Sequence, residues 1–218
     1  MTTDSLPENF LVQRAAMVQD QLRARALRDE RVLAAMLRVP RHEFVAQSLR
    51  RHAYEDHPLP IGDNQTISQP YIVGLTLEAL ALRPADIVLE VGTGSGYQTA
   101  LLAELTRQVY SIERHADLAR EAEARLARLG YSNMSILIAD GSLGLPEHAP
   151  FDAIVVSAAA LSIPSALFEQ LREGGRMIIP VGEPHAQELQ LVRKQNGHPY
   201  IVSLGGCAFV PLVSGETA

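Results

Sequence analysis

Ile87-Val88-Leu89-Glu90-Val91-Gly92-Thr93-Gly94-Ser95-Gly96-Tyr97 decides how this chain folds. An apolar run ends in an acid and then in three glycines at alternate positions. The pattern predicts a buried parallel strand that turns sharply into a helix. Alternate glycines permit φ > 0 and let backbone approach a ligand where a Cβ would block it. The spacing is Gly-x-Gly-x-Gly, with an acid two residues before the first glycine. It differs from the Gly-x-Gly-x-x-Gly of dinucleotide-binding turns. Taken alone, the loop is also compatible with a structural glycine-rich turn.

Outward from this loop the chain alternates helix and strand. Ile72 to Leu82 reads as an apolar helix before the strand Ile87–Glu90. A helix is predicted from Tyr97 to Leu105, a strand over Val109–Ile112, and a helix from Leu118 to Leu129 closed by Gly130. Further strands are predicted at Met134–Ile138 and Phe151–Val156, then a helix from Pro164 to Leu171. Gly174-Gly175 begins a hairpin with strands Arg176–Pro180 and Leu189–Lys194, and Val202 to Val213 supplies the last strand. Residues 10–50 read as helical, with Leu11, Ala15, Val18 and Leu22 on one face and a second helix over Asp29–Leu37, its face Val32, Leu33, Met36 and Leu37. Pro40 ends it. Residues 51–71, with Pro58, Pro60, Gly62 and Pro70, read as one long irregular segment. The expected fold is α/β: a doubly wound, mostly parallel sheet with an antiparallel C-terminal edge and N-terminal helices packed on it. One domain is expected over 1–218, with 1–70 forming helices and a substrate or lid segment and 71–218 the ligand-binding core.

Composition narrows the function classes. The 218 residues carry a net charge of −6, which speaks against binding nucleic acid through a general basic surface. Cys207 is the only cysteine, so no internal disulfide can form, as suits a reducing compartment. Met1 to Asn9 lacks the pattern of a signal peptide, and no apolar run reaches the ~18 residues of a membrane span. A soluble cytoplasmic protein without a nucleic-acid or membrane partner is expected. The seven histidines show no metal-ligand spacing, and no metal is expected.

In open parallel sheets ligands bind at the carboxyl ends of the strands. Glu90, the glycine loop, Glu113, Asp140 and Ser157 all fall there. Glu113 lies 23 residues after Glu90, one βαβ step later. A carboxylate at that point can accept both ribose hydroxyls of an adenosine, and Asp140 can accept from the adenine amine. Each acid alone also reads as a helix cap or a solvated strand end. Three around one glycine loop favour adenosine. They would repel a pyrophosphate and suit a cation. The form E/D-x-G-x-G-x-G resembles that of S-adenosylmethionine (AdoMet) methyltransferases.

A more specific resemblance covers nearly the whole chain. Asp63-Asn64-Gln65-Thr66-Ile67-Ser68-Gln69-Pro70 is similar to the Gly-Gln-Thr-Ile-Ser-Gln-Pro signature of protein-L-isoaspartate O-methyltransferases. Val39-Pro40-Arg41 with Phe44-Val45, Ala149 to Ile154, Ile179 to Gly182, and Phe209-Val210-Pro211-Leu212 follow in that family's order. Four positions depart from it: Asn64 for glycine, Ala139 for glycine, Ser157 for threonine, and Ala208 where many bacterial members have arginine. Asn tolerates a left-handed backbone best after glycine, so the turn at Asn64 is expected to persist.

The resemblance implies an AdoMet-dependent carboxyl O-methyltransferase. Its substrates are damaged proteins and peptides containing L-isoaspartyl residues, and its by-product is S-adenosyl-L-homocysteine. The methyl ester closes to a succinimide, whose hydrolysis returns some normal aspartate. The resemblance assigns cofactor contacts to Gln65, Thr66, Ile67, Glu90, Gly92, Gly94, Ser95, Gly96, Glu113, Arg114, Asp140 and Gly141. It assigns the catalytic role to Ser68, and the peptide to Ser68 and main-chain groups of Val210. Two alternatives stand beside it: an aspartate methyltransferase for a dedicated peptide, and a non-catalytic AdoMet-binding homologue.

Overall fold

A computed structural model describes residues 7–215. Most of the stretch Met1 to Asn9, and the end of the expected domain, therefore lie outside the described residues. The sheet is built outward from β3 (Ile87–Val91), with β4 (Gln108–Glu113) on one side and β6 (Phe151–Val156) on the other, both parallel. β5 (Met134–Ile138) pairs with β4, and β7 (Leu171–Glu183) with β6, also parallel. β8 (Ala186–Gln195) and β9 (His198–Cys207) add an antiparallel edge. The order is β5-β4-β3-β6-β7-β8-β9, so the direction in which successive strands are added reverses between β3 and β6.

Two cores follow from strand alternation. Val88, Val109, Ala153, Val155 and Ile178 face one core with α2 (Glu30–Arg38), α3 (Pro70–Leu80) and α4 (Tyr97–Leu105). Leu89, Val91, Ile112, Ile154, Val156 and Met177 face the other, with Leu167 of α6 (Ser165–Glu169). The helix α5 (Ala116–Arg128) buries Leu118, Ala119, Ala122 and Leu126. No helix of the described residues is long and apolar enough to cross a membrane.

The N-terminal helical phase differs from the expected one. α1 (Pro7–Ala16) runs into a π turn over Met17–Leu22 and a 3-10 turn over Arg23–Arg25. The wider π turn rotates the face that follows it. Of the expected face, Val18 and Leu22 are buried, while Leu11 (62% exposed) and Ala15 face outward and Arg14 and Met17 are buried in their place. Arg14 donates to the carbonyls of Leu37 and Arg38 at 3.0 and 2.8 Å, tying α1 to the end of α2. Asp29 caps α2 as expected, accepting from the N–H groups of Arg31 and Val32. Leu37 turns outward.

Ala26 closes this segment at φ 70°, a left-handed conformation that disfavours a Cβ. Ala26→Gly should raise stability by about 0.5–1 kcal/mol, or roughly 1–4 °C in Tm. Thermal unfolding of the two proteins checks this; an unchanged or lower Tm counts against strain at Ala26.

Two further expectations need correction. The segment 51–71 is not wholly irregular. β1 (Leu59–Gly62) and β2 (Gln65–Ile67) form a hairpin whose turn residues Asp63 and Asn64 have φ 47° and 57°. Both central residues are left-handed, as a type I′ turn requires, and Asn64 takes that conformation without glycine. The final strand is β9, ending at Cys207, rather than a strand to Val213. Pro211 has no N–H with which to extend a ladder. Residues 210–212 instead cross to the end of β6, where Ala159 donates to Val210 O at 2.8 Å and accepts from Leu212 N at 2.7 Å.

Candidate functional site

The carboxyl ends of β3, β4 and β6 open into two joined cavities of about 490 and 380 Å³. Gln65, Gly92, Glu113, Ser157 and Val210 line both. The turn after β3 forms the floor. Gly92, Gly94 and Gly96 have φ of 94°, 51° and 86°, so each needs the freedom of glycine. A Cβ on Gly92 would lie 3.3 Å from Ser157 Cβ, and one on Gly94 3.1 Å from Ile61 Cδ1. Gly96 has a different partner, since its Cβ would press on Leu126 and Ala122 of α5.

Glu113 stands at the end of β4 and lines both cavities. Its Oε2 accepts from Gly94 N–H at 2.8 Å and its Oε1 from His115 N–H at 3.0 Å. These bonds fix the carboxylate against the glycine turn and leave each oxygen a lone pair. Arg114 and Gly141 line the smaller cavity, Ser95 the larger. A Cβ on Gly141 would lie 2.4 Å from Val91 Cγ1, so this glycine lets its loop seat on β3.

Two expected acids lie elsewhere. Glu90 lines neither cavity and is wholly buried. It accepts from Thr99 Oγ1 at 2.5 Å, Ser111 Oγ at 2.7 Å and Gln98 Nε2 at 3.2 Å. Burial pushes its pKa up to about 7, against the pull of those donors. Its reach toward the cavities runs through Gln98, which also donates to Ser157 Oγ at 2.9 Å, and through Ser111, whose hydroxyl pairs with that of Thr93 at 2.6 Å. Asp140 is likewise engaged within the fold, accepting from Ser142 N–H and Oγ and from Gly215 N–H. Partial burial raises its pKa, and the Gly215 and Ser142 donors outweigh that and hold it below the usual value.

The hairpin β1–β2 forms the wall opposite the glycine turn. Gln65, Thr66, Ile67 and Ser68 all line the larger cavity. Arg41 holds this wall in place. Its guanidinium is fully buried, donates to Ala53 O at 2.7 Å and Ser68 O at 2.8 Å, and lies 4.9 Å from the Tyr97 ring centroid. Burial lowers its pKa to about 10, so it remains a cation at neutral pH. The Ser68 backbone is thus pinned, and its hydroxyl has no hydrogen-bond partner among the described residues. Val210 lines both cavities, but its carbonyl is already taken by Ala159 N–H. Its N–H has no backbone partner among the described residues and is open to an added strand.

Sequence reasoning missed Arg25, Tyr71, Gln98 and the stretch Leu204 to Cys207, all of which line the larger cavity. Ser157 was visible as a strand-end hydroxyl. Arg41 was visible only as part of Val-Pro-Arg, with nothing local to connect it to Ser68.

A family model described as protein-L-isoaspartate(D-aspartate) O-methyltransferase matches residues 12–217. The chain belongs to that family. A protein-L-isoaspartate O-methyltransferase of Koribacter versatilis is 56% identical over 207 residues, covering 95% of this chain and 93% of the relative. One of Methanoculleus marisnigri is 53% identical, covering 92% and 91%. Among solved structures, the Plasmodium falciparum enzyme, crystallised with S-adenosyl-L-homocysteine, superposes with a TM-score of 0.80. It is 29% identical and covers 92% of this chain and 98% of its own. Another protein-L-isoaspartate O-methyltransferase gives a TM-score of 0.84 at 29% identity, covering 94% of this chain and 67% of its own.

Proposed function

We propose that this chain transfers a methyl group from AdoMet to the free carboxylate of L-isoaspartyl residues in proteins and peptides. The observation that carries this reading is the pairing of two walls. The Thr66-Ile67-Ser68 segment lies across one cavity from a glycine turn with Glu113 bonded to it. The cavities suit the cofactor. Side chains at Gly92 and Gly94 would fill the cradle, and Glu113 offers two oxygens to a ribose. We assign Gly92, Gly94, Ser95, Glu113, Arg114, Gly141 and Gln65 to Ile67 to cofactor binding, and Ser68 and Val210 N–H to the peptide. Residues 1–70 then form the substrate-facing part and 71–218 the cofactor core. The cytoplasm is the proposed location, on the single cysteine, and nucleic acid and membranes are not proposed partners.

When bound, AdoMet supplies a methyl group already activated on a sulfonium. The chain's own residues have little proton chemistry to do. A peptide carboxylate is ionised at neutral pH and needs no general base. Glu113 and Arg25 are the only Asp, Glu, Lys, Arg or His residues lining the larger cavity among those described. Burial holds the Cys207 thiol up at about 11 and the Tyr97 hydroxyl at about 12, so both stay protonated. What remains is to orient the carboxylate and exclude water from it. Ser68 suits that work. A neutral hydroxyl can hold one oxygen and leave the other nucleophilic, where a lysine would blunt it.

Ser68→Ala should slow methyl transfer by roughly tenfold to a hundredfold and leave AdoMet affinity nearly unchanged. That is below the ~10²–10³ for a donor to developing charge, because here charge is neutralised. The wild-type rate should stay nearly flat from about pH 6 to 8. Ionisation of Glu90 near 7 reaches the cavity only through intermediaries, Gln98 and the Ser111–Thr93 hydroxyl pair, so any bend it causes is shallow. A tenfold rise per pH unit would reveal a general base, and full activity in Ser68→Ala would remove the positioning role. The reading as a whole is tested by methyl transfer to paired isoaspartyl and aspartyl peptides. Transfer to the isoaspartyl peptide alone supports it. Transfer to aspartate favours a dedicated-peptide enzyme, and AdoMet binding without transfer a non-catalytic homologue.

A further inference from the structure

The two charged residues of the larger cavity come from opposite parts of the fold. Glu113 ends β4 beside the glycine turn, and Arg25 comes from the N-terminal segment. The Arg25 guanidinium carbon lies 3.4 Å from the Tyr71 ring centroid. Its Nη1 donates to Asp56 Oδ2 at 2.5 Å, and Asp56 Oδ1 accepts from Tyr71 N–H at 3.0 Å. Asp56 therefore satisfies a free N–H in the first turn of α3 and fixes one edge of the guanidinium. Tyr71 fixes its plane. The Nε and Nη2 donors have no hydrogen-bond partner among the described residues, and the side chain is 46% exposed.

An arginine held in this way is prepared for a second acid. Its five N–H groups form a rigid fork, and Asp56 engages only one nitrogen. A cavity for a cationic cofactor and an anionic peptide has use for one charge of each sign, and Glu113 and Arg25 supply them. Resting on the isoaspartyl reading above, we propose that Arg25 is a specificity residue that binds a carboxylate flanking the methyl-accepting isoaspartate. It does not hold the reacting carboxylate. A bidentate guanidinium there would stabilise the anion and weaken it as a nucleophile, which is the task left to Ser68.

The test uses isoaspartyl peptides whose neighbours on both sides are glutamate, glutamine or lysine. Wild type should favour the glutamate peptide through KM, and high salt should erase that preference. In Arg25→Gln, kcat/KM for the glutamate peptide should fall about three- to tenfold, between an exposed ion pair and a buried bidentate one. The glutamine peptide should change less than about twofold, and kcat for both should hold. Arg25→Lys should restore part of the preference. The proposal is overturned if Arg25→Gln discriminates as wild type does. It is also overturned if all three peptides weaken equally, which would mark the Arg25–Asp56–Tyr71 cluster as structural. Failure of wild type to methylate any of the three overturns the isoaspartyl reading itself and this proposal with it; methylation without charge preference overturns this proposal alone.

Discussion

Gly94→Val should leave the protein folded and unable to bind AdoMet. At φ 51° a β-branched residue is strained, by roughly 1–2 kcal/mol, which a domain of ordinary stability tolerates. The larger effect is spatial. The first added carbon would lie 3.1 Å from Ile61 Cδ1, and the rest of the side chain must enter the cavity or push the hairpin away. The same change disturbs the Gly94 N–H bond that steadies Glu113. Calorimetric titration should show affinity reduced more than about a hundredfold, equivalent to ~2.7 kcal/mol, with far-UV circular dichroism unchanged. Gly197→Val is the control. Gly197 has φ 76° in the turn between β8 and β9, and its Cβ would meet nothing within 4 Å. It carries the backbone strain without the collision, and should bind normally. Normal binding by folded Gly94→Val would mean that the turn is not a cofactor cradle.

The parts legible in the sequence are those where local pattern and tertiary burial agree. The strands β3, β4 and β6 were readable because central parallel strands are apolar on both faces, and Gly92, Glu113 and Ser157 mark their ends. The π turn after α1 was not readable. Its residues have ordinary helical propensity, and only packing of Met17, Val18 and Leu22 reveals the rotated face. The C-terminal misreading had a similar cause: Phe209 to Val213 looks like strand until Pro211 and the pull of Ala159 are known. In the site, Glu113 was legible because its distance from the glycine turn reflects one βαβ step. Glu90 shares the motif, but three donors from α4 and β4 engage it in the interior. Arg25, Asp56 and Tyr71 meet across 31 and 46 residues of chain, and no spacing rule connects them.

Glu113→Ala should weaken AdoMet binding by roughly 10- to 150-fold, from the ~1.5–3 kcal/mol of hydrogen bonds to a charged group. The structure makes that prediction more discriminating. The carboxylate also accepts from Gly94 and His115 N–H groups, so removing it loosens the turn as well as the ribose contact. Glu113→Gln separates the two contributions, since its amide keeps one acceptor oxygen and loses the charge. Its loss should fall at the lower end of the range, near tenfold. Comparing ligands then locates the contact. If Glu113 holds the ribose, S-adenosyl-L-homocysteine should lose as much affinity as AdoMet, because the two share the adenosine and differ at sulfur. If Glu113 acts mainly as a counter-charge to the sulfonium, the neutral thioether should lose much less. Equal losses support the ribose assignment, unequal losses move Glu113 toward the reacting end, and unchanged affinity for both removes it from the site.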